Sequence, residues 1–223
     1  MIKKGYLWKT LAVFLILYTL VAGFLFSVPD KVILEESIRN LYFHVPMWFG
    51  MILLFLVSAG YAIAYLATSR EKYDIYSVEF ANTGIVFGCL GMVTGMVWAQ
   101  YTWGEWWSND PKQLGSAIGL LIYFAYLVLR SSFAEEHQRA KISAVYNIFA
   151  LSALIPLIFV LPRMTDSLHP GNGGNPGFNA YDLDDQMRLV FYPAVLGWAL
   201  LGVWFALLRT RISLLHNSIL FDE

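Results

Sequence analysis

The sequence predicts an all-α integral membrane protein, a bundle of six transmembrane helices with a tryptophan-rich loop on the outer side. Three observations carry that expectation. Of 223 residues, 58% are hydrophobic and only 14% charged, where soluble domains carry roughly 25% charged residues. Histidine aside, six intervals (10–29, 40–69, 80–104, 113–129, 142–162 and 189–208) hold no charge at all. Each matches, or nearly matches, the roughly 20 apolar residues that cross a hydrocarbon core. The shortest is extended by the snorkelling stem of Arg130.

The elements follow in chain order. The first span, about 8–28, comes after Lys3, Lys4 and Lys9 in the manner of a signal peptide. Its apolar run is too long for one, and Ser27-Val28-Pro29 is a poor cleavage site, so a retained anchor is expected. PDKVILEESIRNLYFH, residues 29–44, predicts a short interfacial helix leading into the second span, about 45–68, with Pro46 in its first turn. The charged stretch 70–79 is expected as a loop before the third span, about 80–100. In that span Gly84, Gly88, Gly91 and Gly95 are spaced for close helix packing.

WGEWWSNDP, residues 103–111, comes next. If the third helix continues, Trp103, Trp106 and Trp107 share one face at i, i+3 and i+4. Asp110 as N-cap, Pro111 at the first helical position and Gln113 closing a capping box then start the fourth span, about 112–130. The fifth span, about 142–162, follows a charged loop over 130–141. HPGNGGNPGFNAYDLDD predicts an irregular loop before the sixth span, about 188–208. With no internal repeat and no soluble segment, residues 1–223 read as one membrane domain.

Charge asymmetry sets the expected orientation. Six spans put both termini on one side, and that side holds ten of the 15 lysines and arginines, from Lys3 to Arg211. Lys31, Arg39, Lys112, Arg163 and Arg188 make up the other five. The positive-inside rule therefore places both termini in the cytoplasm. His137 and His216 then face the cytoplasm, whereas His44, His169 and the tryptophan stretch converge on the outer face.

Several function classes are excluded. A net charge of -1 gives no reason to expect a nucleic-acid partner. The single cysteine, Cys89, permits no internal disulfide, and no Cys-x-x-Cys-His attaches haem covalently. Neither a phosphate loop nor a Gly-x-Ser-x-Gly elbow occurs. Charge is expected to be absent deep in the spans, which argues against a proton pump or ion-coupled transporter.

The outer histidines and tryptophans admit two readings. Tryptophan collects at membrane interfaces without any ligand, and a lone histidine is commonly just a surface residue. Yet Trp98 and Tyr101 thicken the aromatic stretch beyond an ordinary belt, and His44 and His169 approach it from either side. Two imidazoles beside an aromatic shelf suit a planar iron ligand with two open axial positions. Zinc, which takes three or four clustered ligands, fits less well. Arg39, Lys112, Arg163 and Arg188 lie on the same side and are candidates for pairing with porphyrin propionates, or simply for balancing Glu35, Glu36, Asp166 and Asp182.

WGEWWSNDPKQ, the six-span layout and the flanking histidines resemble the CcmC/CcsA family of haem-handling membrane proteins of cytochrome c biogenesis, nearest the CcmC branch. The resemblance implies a bacterial inner-membrane protein holding b-type, non-covalent, transiently bound haem on the periplasmic side. It makes His44 and His169 the axial ligands, and Trp103, Gly104, Trp106, Trp107 and Asp110 the haem-facing loop. It further implies transfer of the haem to a membrane-anchored haem chaperone, alongside ABC-type transporter subunits, which is binding and transfer rather than catalysis. In this chain Asn109 stands where the family commonly has a tryptophan, removing stacking surface at that edge. The alternatives are a component of a cytochrome c haem lyase or synthetase, a b-type electron carrier, and a small-molecule transporter.

Overall fold

The computed structural model describes residues 4–169 and 183–221, and every regular element among them is helical. Helix α1 spans Lys4–Leu25, α2 Leu41–Thr68, α3 Glu71–Trp103 and α4 Pro111–Ser131. Helix α5 covers Glu136–Met164, with a π-helical turn at Pro156–Val160, and α6 covers Asp185–Phe221. Six helices are thus long and apolar enough to cross a membrane. The irregular loop expected after His169 falls on residues outside those described.

Three expectations change. A short 3-10 helix does precede α2, at Glu35–Asn40, but α2 begins at Leu41, so Pro46 sits inside the helix rather than in its first turn. The stretch 70–79 is helix rather than loop, since α3 begins at Glu71. Asp74 and Glu79 are therefore buried inside the bundle, and they are tolerated because each is paired there. Arg130 of α4 donates two bonds to Asp74, at 2.8 and 2.5 Å, and Glu79 accepts from Arg209 and Ser213 of α6, both at 2.7 Å. Finally, α3 stops at Trp103 because Gly104 takes a left-handed conformation, φ 81°. Glycine pays no Cβ penalty there and ends the helix. Trp106 and Trp107 consequently do not continue a helical face with Trp103.

Lipid supplies no hydrophobic force between helices, so small residues and polar bonds hold the bundle. Helix α2 packs along α3; α6 packs on α1, α2 and α3; α4 pairs with α5, which also rests on α2. Met51, Leu54, Phe55, Leu120, Tyr123 and Leu154 form the main core. Toward the Asp74 end, Asn147 of α5 donates to Ser58 of α2 at 2.7 Å and to Ser77 of α3 at 3.0 Å, tying three helices together. Alternating helix directions bring the starts of α2, α4 and α6 to one end of the bundle. The ends of α1, α3 and α5 meet them there.

Candidate functional site

A cavity of about 470 Å³ lies at that end, lined from α2, α3, the start of α4, the π turn of α5 and residues 168–169. Both His44 and His169 line it. Its walls are mostly apolar, with Trp48, Met92, Met96, Trp98, Trp103, Ile158 and Phe159 among them.

Each imidazole is held by one nitrogen. His44 Nδ1 lies 2.9 Å from the Gly91 carbonyl oxygen. A carbonyl only accepts, so Nδ1 carries the proton and Nε2 keeps its lone pair. Two glycines make the approach possible: a Cβ on Gly95 would stand 2.5 Å from His44 Cε1, and one on Gly91 would stand 2.9 Å from Trp48 Cε2. Trp48 and Trp98 box the ring edge-on, with centroids 6.2 and 5.9 Å away. His169 stands outside any helix, and its Nδ1 lies 2.8 Å from Asp110 Oδ1. The same logic leaves its Nε2 as the open nitrogen, and Trp103 meets the ring edge-on at 5.0 Å.

Asp110 has no exposed side-chain surface. Besides His169, it accepts from the Lys112 N–H at 2.9 Å, the Leu168 N–H at 2.7 Å and the Ser167 hydroxyl at 2.9 Å. Burial alone would raise its carboxyl. The His169 hydrogen bond, with the Leu168 and Lys112 N–H groups, outweighs burial and holds the group well below the usual carboxylate range. Asp110 is also the N-cap of α4, as expected, with Pro111 at the first helical position. Gln113 does not close the box. Its side-chain oxygen accepts from the Ser108 N–H and hydroxyl instead, at 3.0 and 3.1 Å.

Of the loop residues expected to face a ligand, Trp103 lines the cavity, whereas Gly104, Trp106, Trp107 and Asp110 do not. Trp107 donates its indole N–H to Asn109 at 2.7 Å, and Asn109 itself has a positive φ of 54°. Asparagine tolerates that left-handed region better than a bulky aromatic does. Of the four cations, Lys112 lines the cavity. Arg39 is held by Glu36 and the carbonyls of Gly23 and Phe26 that end α1. Arg163 donates to the Phe159 carbonyl, and Arg188 bonds the Leu183 carbonyl and the Tyr192 hydroxyl.

Sequence reasoning did not assign Trp48, Met92, Met96, Gln113 or Ser116 to the site, yet all line the cavity. For Trp48 a signal existed, because it follows His44 by four residues on one helix and so shares its face.

Comparison with known proteins gives the same direction. The chain matches the family model described as heme exporter protein C over residues 3–220. It is 24% identical over 183 residues to heme exporter protein C of Haemophilus influenzae, covering 82% of this chain and 74% of that one. With heme exporter protein C of Rhodobacter capsulatus it shares 26% identity over 203 residues, 87% of this chain and 80% of the other. Cytochrome c biogenesis protein CcsA of Prochlorococcus marinus (strain MIT 9515) is 37% identical over 84 residues, 38% of this chain but only 27% of that protein. A match that runs through all six helices is a statement about the whole chain: it belongs to the heme exporter protein C family, CcmC.

Proposed function

We propose that this chain is a cytochrome c-type biogenesis protein that binds haem in the cavity, between His44 and His169, and passes it on. The observation that carries the reading is that both imidazoles line one apolar cavity with Nδ1 already committed as a donor. Haem iron accepts imidazole nitrogen at its axial positions, and here Nε2 of each ring is the nitrogen left to offer. Among the described residues no cluster of three or more His, Cys, Asp or Glu could hold a bare metal ion. The donor set therefore suits a metal carried in an organic plane. Trp48, Trp98 and Trp103 supply aromatic wall for such a plane, and Lys112 is the cation within reach of a propionate. Arg39, Arg163 and Arg188 do not line the cavity and recede as propionate partners.

Transfer rather than storage fits the uneven housing of the two histidines. The side chain of His169 remains 22% exposed, whereas His44 is built into α2, and this supports release on the His169 side. With ten of 15 basic residues on the other side, the cavity is assigned to the periplasmic face of a bacterial inner membrane, with both termini cytoplasmic. A membrane-anchored haem chaperone would be the recipient, and ABC-type transporter subunits the companions.

The test is an absorption spectrum of the detergent-purified protein beside His44→Ala and His169→Ala. A Soret band that shifts or disappears in both variants is the expected result. A parent that takes up no haem on reconstitution, or variants with the parent spectrum, would overturn the assignment.

A further inference from the structure

The two histidines are held in unlike ways, and the difference has a consequence for the site. His44 belongs to a long helix. Its Nδ1 acceptor is a backbone carbonyl of the neighbouring helix, and the ring is clamped by the close approach at Gly95. His169 has no helix of its own. Its ring orientation depends on Asp110, which is 59 residues away in the chain.

Asp110 does more than hold that ring. Its four donors come from Lys112 on one side and from Ser167, Leu168 and His169 on the other. Lys112, Leu168 and His169 all line the cavity, whereas Asp110 does not. One carboxylate, buried and out of reach of the ligand, thereby joins the start of α4 to the segment after α5. We infer that Asp110 is a positioning residue, a fixed bracket that brings His169 to the cavity and fixes its tautomer, so that the site offers two nitrogens rather than one. The bracket uses both oxygens: Oδ1 takes His169 and Lys112, and Oδ2 takes Leu168 and Ser167. A carboxylate accepts at both oxygens, whereas a carboxamide has one accepting oxygen and would confront two of these donors with an N–H.

This inference rests on the two-histidine reading, and its experiment separates the two. Ligand-free protein, wild type and Asp110→Asn, is compared first by amide hydrogen exchange. Asparagine remains a good N-cap, so α4 should keep its protection. Exchange at 167–169 should quicken at least tenfold. Hemin is then added to wild type, Asp110→Asn, Asp110→Ala, His169→Ala and His44→Ala in detergent, and the spin state is read by optical and electron paramagnetic resonance spectra. The expected result is that both Asp110 variants bind hemin with the high-spin, one-histidine spectrum of His169→Ala, and that adding His169→Ala to Asp110→Ala changes nothing more.

If Asp110→Asn and Asp110→Ala keep the wild-type low-spin spectrum while His169→Ala does not, Asp110 is no bracket for His169 and the inference falls, leaving the two-histidine reading standing. Unchanged exchange at 167–169 in Asp110→Asn would also overturn it, whatever the spectra show. If wild type itself takes up no hemin, the haem reading fails, and the exchange result alone decides whether Asp110 orders the segment.

Discussion

At the scale of single residues, the cavity depends on space as much as on donors. Gly95 makes room for His44, and Gly91 for Trp48. Gly95→Ala puts a Cβ 2.5 Å from His44 Cε1, closer than real contacts allow, so the imidazole must move off the Gly91 carbonyl. Haem affinity measured by titration should fall at least tenfold. Gly60 is the control, because a Cβ there meets nothing within 4 Å. Gly60→Ala should leave binding intact and stabilise α2 by up to about 1 kcal/mol. The aromatic residues divide in the same way. Trp103 touches His169 and the cavity, whereas Trp106 is exposed and Trp107 is engaged with Asn109. Trp103→Ala should weaken hemin binding about tenfold, or about 1.4 kcal/mol. The double variant Trp106→Ala/Trp107→Ala should lose less than Trp103→Ala alone. Equal losses would mean that the whole tryptophan stretch faces the ligand.

At the scale of elements, polar groups in apolar sequence were legible where they were rare. His44 and His169 stood out against apolar or small neighbours, and the Asp110-Pro111 cap could be read directly because it is a local device. What the sequence hid was pairing over distance. Asp74 and Glu79 look like loop residues until Arg130 and Arg209 are seen to reach them from α4 and α6. Likewise, Asp110 looks like a loop acid until His169 is seen beside it. The tryptophans misled for another reason: helical spacing joins Trp103 to Trp106 and Trp107 only while the helix lasts, and Gly104 ends it. The Asp74–Arg130 pair carries a prediction about helix docking. Its side chains are 9% and 15% exposed, and the geometry is two-pronged. Removing one partner leaves the other charge buried, so Asp74→Ala should cost about 3 kcal/mol in mixed-micelle unfolding. The apolar double replacement Asp74→Leu/Arg130→Met should recover most of that loss. If the single variant unfolds like the parent, the pair does not hold α3 to α4.

For the molecule as a whole, division of labour follows the two ends. One end collects the Asp74–Arg130 and Glu79–Arg209 ion pairs, the Asn147 network and the short connection between α2 and α3. The other end collects the cavity, the N-cap of α4 and the segment carrying His169. A paired, closely packed end and, opposite it, a ligand site assembled from separate segments suit the proposed role of binding haem and passing it on. Which end faces which compartment rests on charge, and it can be read chemically. Cys89 is the single native thiol and lies partly buried in α3, so Cys89→Ser gives a background without thiols. Glu105 and Ala134 are exposed at opposite ends and line no part of the cavity. Glu105→Cys and Ala134→Cys in that background should therefore leave the fold and the site alone. A membrane-impermeant maleimide applied to intact spheroplasts should label the thiol at position 105 and spare the one at 134, which becomes reactive only after lysis. The reverse pattern would turn the cavity toward the cytoplasm. Two histidines at that face would receive haem where it is made rather than present it outside, and delivery to a periplasmic chaperone would have no place in the mechanism.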